Sequence, residues 1–314
     1  MPIKAALARL FQSPSLHTIV PHMCSHTFIH VLGLATGLKH LNLYGYHDRS
    51  CHRPTVISPM IPPLPSAASH DIYLESLEMT LEPKADALVG YLSRPDCPLK
   101  ISRLRELRIH SNYRLPTAAA TVMKSASQSL ESLIWILSES SGAYESPGED
   151  WFESMFESPG IDPELHPSIG LQDFVSLRHL TLSTRYSGEG MIDVLESGLG
   201  VLPKLEELNI HYEYWEDEDE YLGTDCDDVE KAFVQQLEWD DEAFGSMYTS
   251  GRFPCLKRIN IMLVSQLLID GDALEVWLQD CLPFFRRAGV LVVKVGGFDD
   301  GKQFMEDVSI VSCG

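Results

Sequence analysis

The sequence predicts an α/β fold: one curved solenoid, a horseshoe with a parallel inner sheet, outer helices and irregular insertions. Three observations predict it. A short leucine pattern recurs along the chain. Amphipathic helical stretches lie between its copies. The apolar share of 44% is enough to bury a sizeable core.

The pattern is L-x-x-[LI]-x-φ, where φ is apolar. It begins at Leu38 (LKHLNL), Leu74 (LESLEM), Leu104 (LRELRI), Leu130 (LESLIW), Leu177 (LRHLTL), Leu205 (LEELNI) and Leu256 (LKRINI), at uneven intervals. Its last four positions alternate inward and outward, the period of a strand with one buried face. Parallel strands are expected at Leu41–Leu43, Leu107–Ile109, Leu180–Leu182, Leu208–Ile210 and Ile259–Ile261, adjacent in one sheet. Helical faces fall between the copies: Leu88, Tyr91 and Leu92; Val229, Phe233 and Leu237; Leu274, Trp277, Leu278 and Cys281. Strand, helix, strand implies parallel pairing through right-handed crossovers. Near the N-terminus AALARLFQ reads as a helix and LHTI as a degraded strand. Residues 1–314 read as a single domain, with insertions near 140–170 and 212–226.

The motif resembles a leucine-rich repeat. The irregular unit lengths, with LFQSPSLHTI and FVSLRHLTLS, resemble the repeat region of fungal F-box proteins. That resemblance implies target recognition for a cullin-based ubiquitin ligase. The F-box itself, a compact Leu-Pro-led helical segment, is not found ahead of the repeats. Cullin-type ligase subunits are therefore expected as partners only if an F-box exists outside this chain. The alternative within the binding class is a free-standing repeat scaffold with no ubiquitin link.

The remaining composition narrows the function classes. The net charge of −21 repels phosphate backbones, so nucleic acid is not an expected partner. No apolar run reaches membrane-spanning length, and the first residues lack the apolar core and cleavage site of a signal peptide. The seven cysteines are scattered and odd in number, with no Cys-x-x-Cys, which fits a reducing compartment such as cytoplasm or nucleus.

The outward strand positions form the expected partner-binding face. They include His40, Asn42 and Tyr44; Glu106, Arg108 and His110; His179; Glu207, Asn209 and His211; and Arg258 and Asn260. Three of the chain's four asparagines, Asn42, Asn209 and Asn260, share one slot of the motif. Ile134 and Trp135 interrupt the polar rule.

Over half of the acidic excess lies between Glu213 and Glu242. Within it Tyr214 and Trp215 precede the run Glu216, Asp217, Glu218, Asp219 and Glu220. An EF-hand loop aligned on Gly223 would need carboxylates where Leu222 and Val229 stand, so that pattern fails. A solvated loop, a looser ion site using Asp217, Asp219, Asp225 and Asp227, and a docking surface for a basic partner all stay open. His17, His22, Cys24, His26 and His30 form a second cluster, but no Cys pair closes a tetrahedral set there. Nucleophile elbow, phosphate loop and dinucleotide glycine signatures are missing from the sequence. Protein binding without catalysis or cofactor is the expectation, with a metal-dependent enzyme built on the acidic insertion as the rival from another class.

Overall fold

The computed structural model describes residues 11–20, 32, 34–43, 71–81, 92, 97–111, 117–137, 173–185, 201–214, 245–246, 248–265, 276, 279–280 and 282–296. The strands are β1 (Thr18–Ile19), β2 (His40–Leu43), β3 (Ile72–Tyr73), β4 (Ser76–Leu81), β5 (Leu99–Lys100), β6 (Glu106–Ser111), β7 (Ser132–Leu137), β8 (His179–Arg185), β9 (Glu207–Tyr214), β10 (Arg258–Ser265) and β11 (Leu291–Gly296). Among the described residues lie the helices α1 (Thr117–Ala126) and α2 (Pro283–Ala288). Nine strands form one sheet in the order β1-β2-β4-β6-β7-β8-β9-β10-β11, while β3 pairs with β5 separately. Every one of these pairings is parallel. The chain is thus α/β with a large parallel sheet, and all five expected strand segments lie in it. The degraded strand LHTI supplies β1.

The register explains why the leucine pattern works. Leu41, Leu77, Leu107, Leu133, Leu180, Leu208, Ile259 and Leu291 stand side by side in one row. Leu43, Met79, Ile109, Trp135, Leu182, Ile210, Ile261 and Val293 form the next. The opening leucine of each copy, from Leu38 to Leu256, is buried ahead of its strand. These rows make one continuous core, because successive side chains of a strand point to opposite faces.

Each strand is also tied to its predecessor where it starts. The Lys39 carbonyl accepts the N–H groups of both Glu75 and Ser76, at 2.8 and 3.1 Å. The same double acceptance recurs from Glu75, Arg105, Glu131, Arg178 and Glu206 to the next strand in turn. At the first strand His17 plays this part for Lys39 and His40. Gly37 packs so tightly there that a Cβ would run into the Pro14 carbonyl oxygen. Its own carbonyl takes the His17 Nδ1, 2.9 Å away.

Three features depart from the sequence reading. Strand β9 runs to Tyr214 and pairs along its whole length with β10, so the expected insertion boundary at 212 moves past Tyr214. Tyr212, inside that expected insertion, keeps the strand's alternation and is buried in the core. Strand β11 was not singled out, because VLVVKV lacks the leading L-x-x-L. The α2 helix ahead of it ends on Gly289, whose φ of 69° is left-handed and natural for glycine. The helical stretches expected around Leu88, Phe233 and Trp277 fall largely outside the described residues.

Leu208 is fully buried, so Leu208→Ala is expected to cost about 2–5 kcal/mol in denaturant unfolding, by leaving a cavity. Val292 stands 39% exposed, and Val292→Ala should stay within about 0.5 kcal/mol. Gly37→Ala should lower the melting temperature clearly, although alanine ordinarily suits a chain better than glycine, because the Pro14 carbonyl must move aside.

Candidate binding face

The face opposite the leucine rows is built from the outward positions, and the parallel register arranges them in rows as well. His40, Ser76, Glu106, Ser132, His179, Glu207 and Arg258 form the first. Asn42, Glu78, Arg108, Ile134, Thr181, Asn209 and Asn260 form the second. Thr80, His110, Ile136, Ser183, His211 and Met262 form the third. All the expected face residues stand on it except Tyr44, which lies outside the described residues. So do Trp215, Glu216, Asp217, Glu218, Asp219 and Glu220; Tyr214 is described only as the end of β9.

Two sectors differ in character. On β2, β4 and β6 the centre is Glu78, whose side chain is 17% exposed. Asn42 Nδ2 donates to its Oε2 at 2.6 Å. His110 Nε2 and Arg108 Nε each lie 3.3 Å from its Oε1. Asn42 Oδ1 is buried there without a hydrogen-bond partner, an acceptor left over after the amide commits its N–H₂ to the carboxylate.

On β8, β9 and β10 the polar groups bond chiefly to one another. Asn260 Nδ2 donates to Glu207 Oε1 at 2.5 Å and to Asn209 Oδ1 at 2.6 Å. Asn209 Nδ2 in turn donates to Thr181 Oγ1 at 3.2 Å. Ser183 Oγ lies 2.9 Å from His211 Nδ1. Thr181, Ser183, Asn209 and His211 are all buried, as are Ile134 and Met262 on the same face. Asn209 and His211 were expected to meet a partner, and here they are sealed from solvent. Alternation assigns a residue to a face; it does not decide whether that face is covered. Trp135 belongs to the core row, so of the two expected interruptions only Ile134 stands on this face.

Glu207 bridges this sector's first and second rows. A hydrogen bond from His179 holds its carboxyl below its ordinary value. Burial opposes this, and the Asn260 amide and the Arg258 charge add to the lowering.

Sequence reading missed a row of charges at the strand entrances: Lys39, Glu75, Arg105, Glu131, Arg178, Glu206 and Lys257. The signal was present, since the second position of the motif alternates in sign through all seven copies. Lys39 Nζ sits 2.8 Å from Glu75 Oε1, and Arg105 Nε 3.9 Å from Glu131 Oε1. Arg178 Nη1 and Lys257 Nζ flank the Glu206 carboxylate at 3.3 and 2.6 Å. Glu75 is lowered in pKa mainly by its hydrogen bond from Lys39, and Glu206 mainly by that from Lys257.

Among the described residues no three His, Cys, Asp or Glu side chains gather as metal ligands would. Of the early cluster, His22, Cys24, His26 and His30 lie outside them. Among the described residues no helix is long and apolar enough to cross a membrane. No family model, no curated protein and no solved structure matches the chain.

A carboxyl lowered on folding contributes stability that is fully present above the ordinary carboxylate range. That stability is lost as pH falls through the lowered value. Glu207→Gln should therefore lower the melting temperature at neutral pH, with the gap to the wild type closing as pH falls from the ordinary carboxylate range through the lowered value. A gap of constant size across that range would show that the Glu207 charge adds nothing.

Proposed function

We propose that this chain is a non-catalytic, protein-binding repeat domain. Its parallel sheet is the inner wall of a leucine-rich-repeat solenoid, and its polar strand face recognises a target in the manner of F-box-type ligase receptors. The observation that carries this reading is the part-buried cluster of Asn42, Glu78, Arg108 and His110 on three neighbouring strands. Side chains held in place by cross-strand contacts lose little freedom when a partner docks, so they suit recognition. Strands also hold them more rigidly than loops would. Seven scattered cysteines, odd in number and without a Cys-x-x-Cys, fit a reducing cytoplasm or nucleus.

Capture of partners from cells by the full chain tests the reading. Arg108→Ala and Glu78→Ala should each reduce the captured protein about tenfold or more, as loss of a buried anchor does. Lys124→Ala, exposed on α1, should leave it unchanged. Recovery of cullin-ligase subunits alongside the target would support the F-box-type role, while a target recovered without them would support a free-standing scaffold. A captured set indifferent to the face substitutions would overturn the proposal. The acidic run suits a basic partner: deleting Glu216–Glu220 should slow association, and the loss should shrink as salt screens the charge.

A further inference from the structure

We propose that the alternating charges at the strand entrances are an ordering device, which admits each strand only beside its proper neighbours. The leucine rows cannot do this alone. Every unit offers nearly the same apolar pattern, so the core side of β4 would fit beside β7 almost as well as beside β6. Repeated units of this kind invite wrong pairings.

The charge row removes that degeneracy. Neighbouring strands lie about 4.8 Å apart, so the residues ahead of them face one another across the sheet. In the observed order every adjacent pair is of opposite sign: Lys39, Glu75, Arg105, Glu131, Arg178, Glu206, Lys257. Skipping any one strand puts like beside like. Lys39 would meet Arg105, Glu75 would meet Glu131, Arg105 would meet Arg178, Glu131 would meet Glu206, and Arg178 would meet Lys257. Like charges directly opposite destabilise a sheet. The placement is apt, because the carbonyl of each of these residues up to Glu206 accepts the two N–H groups that begin the next strand. The charge is therefore compared at the point where pairing starts. Exposed ion pairs contribute little strength one by one, so the row acts by discriminating against alternatives.

Refolding of the full chain from denaturant, followed by rate and yield of native protein at low and high salt, tests this. Three variants are compared with the wild type. Glu131→Lys sets three cations in succession. The paired swap R105E with E131R restores one local ion pair but sets like charges at 75/105 and 131/178. The full inversion (K39E, E75K, R105E, E131K, R178E, E206K and K257E) reverses every charge yet keeps the alternation. The single variant and the swap should refold several-fold more slowly or with lower yield, and the deficit should shrink in high salt. The full inversion should refold like the wild type. If Glu131→Lys proves unable to fold at all, the inversion and the swap still decide. Refolding of the swap at the wild-type rate would reduce the row to independent local pairs and overturn the proposal. An inversion that refolds as poorly as the swap would overturn it as well.

Discussion

Everything in this sheet depends on each strand starting level with the one before. A single carbonyl ahead of the strand takes two N–H groups from the next, and the arrangement repeats from His17 through Glu206. Parallel strands cannot be aligned by a tight hairpin, since a long connection separates them. The shared carbonyl supplies the alignment instead. Once the strands are level, the leucines fall into rows without further instruction, and so do the polar side chains on the other face.

The two faces then obey different rules. On the apolar face the rows are interchangeable, and fit is a matter of volume. On the polar face each side chain must find a partner across the gap, because a buried polar group without one is costly. The chain from Thr181 through Asn209 and Asn260 to Glu207 meets that demand internally. It has little left to offer a visitor. In the Glu78 cluster Arg108 and His110 stay about a quarter exposed, although Asn42 Oδ1 is itself buried. The same strand architecture thus yields a closed sector and an accessible one.

Much of the fold was legible because a period of two is a strong signal when repeated. Leu41, Leu107, Leu180, Leu208 and Ile259 could be placed inside from their spacing alone, and His40, Glu106 and Arg258 on the opposite face. Exposure was not legible, since Asn209 and His211 carry no local mark of being covered. Tyr212 fell inside the expected insertion because it borders an acidic run, whereas strand alternation points it inward. The α1 helix, TAAATVMKSA, has small residues that blur its apolar stripe. The charge row was missed for a different reason: its period spans two whole units, and a reading made one unit at a time cannot see it.

That two-unit period bears on how such a chain can lengthen. Copying a single unit in tandem would double one sign and set two like charges at adjacent entrances. Copying two consecutive units would leave the alternation intact, as would deleting two. By the arithmetic of its own surface, the smallest duplicable block of this sheet is a pair of strands with their connections, although the smallest block of its core is one.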